Sequence, residues 1–489
     1  MNSTGKLTSE NENNYRPCRL SYDTLISNEE LCTVGYNHAV ITWVTPQQPA
    51  DTTIYFGEQR AHLTRRTIND YTEFHWMELD NLKPATRYWY QVASNTGKGS
   101  LNSFITLPKP KGKYLFSYAV LSDIHIACGN PTKDFNEIYF GKLSEYSNDL
   151  FIQCILDSKR RNIDLAVITG DLTDDASRQQ YLELRDLLLP YFGDTPYLLC
   201  IGNHDKYINN SSLGEKGFIE LVANREKTTS TVMFNDYQFI LIDSCKPNIN
   251  KGYIDPGQLK WIQGMLKSNR KPAYLFLHHP CNGPDTWFGV KNHMEFQRII
   301  RPFANVRGIF SGHIHRNKVT TNKFMTGNLP YVEAPATVQF PCGYGIVRVY
   351  ENGFIYNSYK VSRLDLSEMS RDRFILKGGN ALLSRYSFGG LGDRSFSWIN
   401  GQLFYPRQYE LTVTLDQQKA IELYKHTQSV DGASLTAAGN INKSKVILGR
   451  FDSLQLAFRS HWYKSLVYQM DVAIGKEDSG YIPRMRNKK

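Results

Sequence analysis

Apolar residues recur at every second position in three runs near the amino end of the chain: HAVITWVT (His38–Thr45), DTTIYFG (Asp51–Gly57) and RYWYQVAS (Arg87–Ser94). Successive side chains of a strand point to opposite faces, so this period predicts short antiparallel strands with one buried face, the pattern of a small β-sandwich. After the Pro- and Lys-rich stretch Leu107–Lys113 the pattern changes. Continuous apolar runs, YLFSYAVL (Tyr114–Leu121), DLAVIT (Asp164–Thr169), PYLLCI (Pro196–Ile201), YQFILI (Tyr237–Ile242), AYLFL (Ala273–Leu277) and RGIF (Arg307–Phe310), alternate with stretches of helical spacing at Ser144–Lys159, Ala176–Leu189 and Pro256–Leu266. Short runs of this kind are buried on both faces, which predicts an α/β domain ending near residue 360.

A third pattern begins near residue 366, with Gly-rich stretches at Lys377–Asn380 and Ser387–Gly401. It continues through QYELTVTL (Gln408–Leu415), DQQKAIELYKHTQ (Asp416–Gln428), KVILGRF (Lys445–Phe451) and KSLVYQMDVAIG (Lys464–Gly475). This predicts a small α+β region. Its His426 and His461 have no carboxylate or Cys partners at ligand spacing, and no motif assigns the region a chemistry. The expected architecture is therefore multidomain: an amino-terminal β-sandwich over residues 1–110, a central α/β domain over 111–362 and a carboxy-terminal region of unassigned role over 363–489. The hinge at Leu107–Lys113 leads us to expect a separately folding sandwich that contributes no functional side chain.

Composition excludes several alternatives. With 41% hydrophobic residues in 489, the chain has ample material for globular cores. No run approaches the ~18 apolar residues of a membrane-spanning helix, and the first residues lack the basic-then-apolar order of a secretion signal. The expected compartment is the cytoplasm by default, with signal-less export left open. Eight Cys are scattered without a C-x-x-C pair, so neither a disulfide framework nor a thiolate zinc site is expected. The net charge is +10, of which +7 falls from residue 361 onward. Apart from this basicity, which fits simple solubility as well as nucleic acid, nothing in the chain supports nucleic-acid binding. Oligomeric state is not legible.

Candidate chemistry lies just past the carboxyl ends of the central strands, where ligands bind in α/β folds. Five polar motifs occur in order: Asp123-Ile-His125, Gly170-Asp171, Gly202-Asn203-His204-Asp205, His278-His279-Pro280 and Gly312-His313-Ile314-His315. Alone, each reads as a turn or helix cap. Together they bring enough oxygen and imidazole donors to one rim for two hard-to-borderline divalent cations.

This order resembles the calcineurin-like metallophosphoesterase superfamily over about residues 114–350. The resemblance implies that Asp123, His125, Asp171 and His315 hold one metal, and that Asp171 bridges to a second held with Asn203, His278 and His313. In the family's His-x-Pro pattern the ligand stands two residues before Pro, which selects His278 over His279. His204 is similar to the family's non-ligand histidine that contacts the phosphoryl group or leaving oxygen, and is the candidate catalytic residue. The implied cofactors are two divalent ions, Mn, Fe or Zn. The implied substrate is a small-molecule phosphoester, hydrolysed by in-line attack of hydroxide generated on the pair, without a covalent enzyme intermediate.

The sandwich also carries a resemblance. The run Leu79–Val92, with Trp43 and His75 ahead of it, is similar to the fibronectin III-like amino-terminal domain of purple acid phosphatases, where a Tyr hydroxyl after a Leu-x-Pro turn bonds back to the backbone. Those enzymes have Gly and a ferric-iron tyrosinate where this chain has His125 and Asp174. The metal site instead resembles the Asp-x-His phosphodiesterase branch, which implies two divalent ions and no ferric colour. Phosphodiester hydrolysis is thus the leading expectation. Phosphomonoester hydrolysis stands next to it, and a catalytically silent binding protein of the same fold is disfavoured by the complete ligand set. Weaker candidates are Trp287, Lys291 and His293 as substrate contacts, Asp174, Asp175 and Asp205 as carboxylates orienting imidazoles, and Cys128 and Cys281 as unneeded thiols beside ligand motifs.

Overall fold

The computed structural model describes residues 26–94, 97–130, 141–209, 211–283, 288–376 and 381–408, together with four short strands beyond. The amino-terminal strands are β1 (Ser27–Val34), β2 (Ala39–Val44), β3 (Ala50–Gln59), β4 (His62–Thr72), β5 (Phe74–Leu79), β6 (Arg87–Ala93) and β7 (Asn102–Ile105). They form two antiparallel sheets, β1-β2-β5 and β7-β6-β3-β4, which close over Trp43, Ile54, Met77, Tyr90 and Phe104. The fold is the fibronectin III-like sandwich. At its corner the Tyr88 hydroxyl accepts the Lys83 N–H at 2.9 Å, and Trp43 stacks on His75 at 4.9 Å between ring centres.

The central domain contributes β8 (Tyr114–Leu121), β9 (Leu165–Ile168), β10 (Tyr197–Leu199), β11 (Ser230–Phe234), β12 (Tyr237–Leu241), β13 (Ala273–Phe276), β14 (Val306–Ser311), β15 (Lys318–Thr320), β16 (Tyr331–Glu333), β17 (Gly343–Tyr350) and β18 (Gly353–Lys360). One sheet runs β10-β9-β8-β17-β18 and the other β11-β12-β13-β14-β16-β15. Both contain a run of parallel neighbours, β10-β9-β8 in the first and β12-β13-β14-β16 in the second. Aromatic side chains fill the space between the sheets, including Phe116, Tyr118, Phe239, Tyr274, Phe276 and Phe310. Helices Ser147–Arg160 and Pro256–Ser268 cover the outer faces, which is why the strands read as unbroken apolar runs.

The helical stretch expected over Ala176–Leu189 is less regular. The α-helix Arg178–Glu183 starts where the Ser177 hydroxyl accepts the Gln180 N–H, then widens to a π-turn over Leu184–Leu188 and tightens over Leu189–Phe192. Pro190 has no N–H to continue an α-helical ladder.

Two contacts cross the divisions expected from sequence. Past residue 362, β19 (Ser395–Ile399) and β20 (Gln402–Phe404) extend the first central sheet beyond β18, and β21 (Arg407–Gln408) returns to pair with β7 of the sandwich. The remaining strands, β22 (Leu411–Thr414), β23 (Ala433–Leu435), β24 (Lys445–Leu448) and β25 (Phe458–Ser460), pair as β22-β24 and β23-β25. The stretch Asp416–Gln428, and His426 and His461, lie outside the described residues.

The sandwich also shares its core with the central domain rather than standing apart. Cys32 and Val40 belong to the same buried cluster as Phe151 and Tyr344. Buried Lys360 pairs with Glu30 of the sandwich and with Glu368 at 3.2 Å, and Arg161 pairs with Glu78 at 3.0 Å. Arg394 donates to the carbonyls of Leu31 at 2.7 Å and Cys32 at 2.9 Å. No sequence motif marks these partners, and the composition of the hinge Leu107–Lys113 by itself suggests independence.

Candidate metal centre

Every motif of the candidate site leaves the carboxyl end of a strand. Asp123 follows β8, Asp171 follows β9, Asn203 follows β10, His278 follows β13 and His313 follows β14. The two sheets meet at this rim. The Gly312 N–H donates to the His278 carbonyl at 2.9 Å, Thr337 N–H to Ser122 at 2.9 Å, and Ile124 and His125 N–H to Asp171 at 2.9 and 3.0 Å. The approach is close enough to require glycine at two positions: a Cβ on Gly312 would collide with Ser122 Oγ and Asp123 Oδ2, and one on Gly202 with the Asp171 backbone.

Local strain is concentrated here. Asp123, His125, Asp171, His313 and His315 all have left-handed φ, between +49° and +70°. L-residues resist that region by roughly 1–3 kcal/mol each, and such outliers persist where the surroundings hold them for function. This turn-after-strand geometry aims all five side chains into the rim.

Their donor atoms fall into three overlapping groups: Asp123, His125 and His315; His125, Asp171 and His204; and Asp171, His278 and His313. Asp171 Oδ2 lies 3.6 Å from His125 Nε2 and 3.1 Å from His278 Nε2. Asn203 Oδ1 lies 2.9 Å from His278 Nε2, which is 3.2 Å from His313 Nδ1. On the other side His315 Nε2 is 3.2 Å from His125 Nε2 and 3.4 Å from Asp123 Oδ1. Asp123, His125, Asp171, Asn203 and His278 are all buried.

Proton bookkeeping shows what this arrangement is fit to hold. His278 Nδ1 lies 2.9 Å from the Thr169 carbonyl, which only accepts, so Nδ1 carries the proton and the neutral ring presents a lone pair at Nε2. That lone pair faces two further acceptors, Asp171 Oδ2 and Asn203 Oδ1. His315 Nδ1 is likewise turned to Gln339 Oε1 at 2.7 Å, leaving Nε2 toward the Asp123 carboxylate and His125. His313 Nε2 is buried with no hydrogen-bond partner among the described residues. Converging lone pairs and carboxylates need cations between them, and imidazole, carboxylate and amide oxygen suit divalent transition metals.

Without cations, protons take their place. Burial opposes charging of His278, but the Asp171 carboxylate outweighs it and holds the imidazole up to about 9. Burial dominates at His125 and His313, which both fall to about 3. Asp171 stays well below the usual carboxylate range: burial pushes it up, and the surrounding imidazoles, His278 first, more than reverse this.

The histidine pair of the fourth motif divides. His278 faces the rim, whereas fully buried His279 is held by Ser244 Oγ at 2.9 Å and by the Asn250 carbonyl at 3.2 Å. His204 stacks edge-on against His125 at 4.5 Å, its Nδ1 donating to the Asp174 carbonyl at 2.6 Å and its Nε2 meeting the Tyr207 hydroxyl at 3.2 Å.

The weaker candidates separate as well. Asp174 lies 3.3 Å from His125 Nδ1 and 2.6 Å from Lys142 Nζ, a placement next to the imidazole. Asp205 instead clamps the loops, accepting the N–H groups of Gly202 (2.9 Å), Leu172 (3.1 Å) and Thr173 (2.9 Å). Asp175 accepts the Ser177 N–H at 3.1 Å, a turn role. Burial pushes the Cys128 and Cys281 thiols up, and neither joins a candidate metal group among the described residues. His293 Nδ1 is turned to the Val290 carbonyl at 3.1 Å, the Lys291 N–H donates to the Gly252 carbonyl at 2.8 Å, and Trp287 lies outside the described residues. Sequence reasoning missed Lys142, Gln339 and Phe288, whose half-exposed ring lies 6.1 Å from that of His313. None carries a local signal, because Lys142 and Gln339 reach the rim from segments without a motif.

Residues 116–317 match the family model described as calcineurin-like phosphoesterase, and residues 32–106 match that of the purple acid phosphatase N-terminal domain. The central domain is thus similar to calcineurin-like phosphoesterases, hydrolases of phosphoric esters, with donor groups for two metal ions, and it follows a sandwich that matches the purple acid phosphatase N-terminal domain. Its curated relatives include a probable cyclic nucleotide phosphodiesterase of Psychrobacter arcticus, 28% identical over 216 residues that cover 42% of this chain and 76% of the relative. A 3',5'-cyclic-nucleotide phosphodiesterase of Nostoc sp. is 26% identical over 230 residues, 46% of this chain and 79% of the relative. A solved dimetal phosphatase from Danio rerio superposes with a TM-score of 0.42 at 14% identity, over 50% of this chain and 96% of that one. No helix among the described residues is long and apolar enough to cross a membrane.

Proposed function

We propose that this protein is a dinuclear phosphodiesterase in which Asp123, His125, Asp171 and His315 hold one cation and Asp171, Asn203, His278 and His313 the other. The observation that carries the reading is the position of Asp171, whose Oδ2 lies within 3.6 Å of imidazoles belonging to both groups. Mn²⁺, Fe²⁺ and Zn²⁺ all suit the donor set, which holds no thiolate. When bound, the cations neutralise the phosphoryl oxygens and activate water for in-line attack.

The chain's own residues do the rest. The His204 N–H donates to Asp171 Oδ1 at 2.9 Å, fixing the carboxylate between the groups. Because the Asp174 carbonyl anchors His204 Nδ1–H, a proton given to the leaving alkoxide comes from Nε2 of the imidazolium. The new P–O bond forms from the water oxygen, which releases its proton to solvent, as the ester P–O bond breaks, and the departing oxygen takes the proton from His204. Substrates of the relatives' class, cyclic nucleotides, are the first to test, since they are diesters. The experiment is turnover of cyclic nucleotides, linear diesters, monoesters and nucleic acid by metal-reconstituted enzyme, with Asp171→Asn as control. A metal-loaded protein that hydrolyses monoesters and leaves every diester intact would overturn the proposal.

A further inference from the structure

Asn203 is the candidate ligand that ligates through an amide, so its donor depends on which end of that group faces inward. An amide presents an oxygen that ligates or an NH₂ that does not, and rotation about its last torsion exchanges them at little intrinsic cost. Something outside the site has to set the choice. Asn203 Nδ2 lies 3.4 Å from Asn250 Oδ1. With that acceptor in place the NH₂ is engaged and Oδ1 is left facing His278 Nε2 at 2.9 Å.

Asn250 is an exposed residue in the turn Lys246–Gly252, so the turn backbone that carries its side chain needs an anchor. Fully buried His279 supplies one. The Asn250 carbonyl only accepts, so His279 Nε2 donates to it at 3.2 Å and Nδ1 accepts the Ser244 hydroxyl at 2.9 Å. The same Ser244 oxygen accepts the His279 N–H at 3.1 Å, tying ring and backbone to one group. Gly252 lets the turn approach, since a Cβ there would stand 2.7 Å from the His279 side chain.

The geometry points to a positioning relay, Ser244 to His279 to Asn250 to Asn203, that holds the Asn203 amide oxygen-inward and thereby sets the affinity of the second cation site. This rests on the two-cation reading above. His279 is then not a spare ligand beside His278 but the buried anchor of an exposed turn. Partners standing behind metal ligands typically change metal affinity by about 10–100-fold when removed.

The test is Mn²⁺ binding by the full chain, followed by equilibrium titration and by electron paramagnetic resonance, which separates exchange-coupled pairs from isolated ions. Asn250→Leu removes the acceptor at an exposed position. It is expected to weaken the second ion by about 10–100-fold, to leave the first unchanged and to replace the coupled signal by that of isolated Mn²⁺. Asn250→Asp keeps an acceptor and is expected to restore the coupled pair, while His279→Ala is expected to resemble Asn250→Leu. Equal second-site affinity in wild type and Asn250→Leu would overturn the relay, as would equal weakening in Asn250→Asp, which would mean that the turn and not the acceptor matters. Wild-type protein that binds fewer than two Mn²⁺ would instead defeat the two-cation reading itself.

Discussion

The Asp171 carboxylate stands 3.1 Å from Nε2 of His278, both groups being buried, and each sets the charge state of the other. The carboxylate holds the His278 imidazole up to about 9, and the imidazole in turn keeps Asp171 well below the usual carboxylate range. Asp171→Asn removes the negative charge shared by both candidate groups. Metal analysis is expected to show loss of at least one ion per chain and turnover is expected to fall by more than ~10³-fold, since neither water activation nor charge neutralisation survives. A variant that kept two tightly bound ions would show that Asp171 is not the bridge.

His204→Ala separates ligand from acid. Its imidazole is tied to the Asp174 carbonyl and Tyr207 rather than to a carboxylate of the centre. Metal content is expected to stay at the wild-type value while kcat drops by about 10²–10⁴, most steeply for esters with poor leaving groups. Equal loss on good and poor leaving groups would argue against proton donation.

Stability of the chelated protein has a calculable pH profile. His278 is raised to about 9 when folded, so its contribution is complete below its ordinary value near 6.5 and is lost as pH rises through 9. His125 and His313 are depressed to about 3, so their contribution is present above 6.5 and is lost as pH falls toward 3. Thermal denaturation in chelator is expected to give a maximum near neutral pH. His278→Gln is expected to flatten the alkaline limb alone, and an unchanged alkaline limb in that variant would contradict the pairing.

The junction between sandwich and central domain predicts joint unfolding. Lys360→Ala leaves Glu30 and Glu368 buried without their shared cation, and removing one partner of a buried pair typically costs about 3–5 kcal/mol. Chemical denaturation is expected to show that loss in one transition common to both domains. Two well-separated transitions in the wild type would mean that the shared core does not couple them.

His125 and Asp174 stand where the purple enzymes carry Gly and a tyrosinate, and in this structure the two contact each other at 3.3 Å. Without a phenolate-to-iron band the metal-loaded protein is expected to be colourless or pale. Two divalent ions carry one positive charge fewer than a ferric-divalent pair, which favours a monoanionic diester over a dianionic monoester and a near-neutral to alkaline optimum. The ratio of kcat/KM for matched bis-aryl and mono-aryl phosphates across pH 5 to 9, with a visible spectrum, checks both. A purple protein with an acid optimum and a monoester preference would refute the comparison.

Much of this protein is written locally. The period-two runs of the sandwich, the unbroken apolar strands of the central sheets and the polar residues just past their ends depend on neighbours a few positions away, so the strands and the five motifs are legible without coordinates. What the tertiary structure alone decides is long-range. Lys142 meets Asp174, Gln339 meets His315, Asn250 meets Asn203, and Glu30 meets Lys360 across separations of 24 to 330 residues, in segments with no motif to mark them. The docking of the sandwich and the return of β19 and β20 to the central sheet follow the same rule. A strand's pattern states that one face must be buried, and only the packed chain determines which partner buries it.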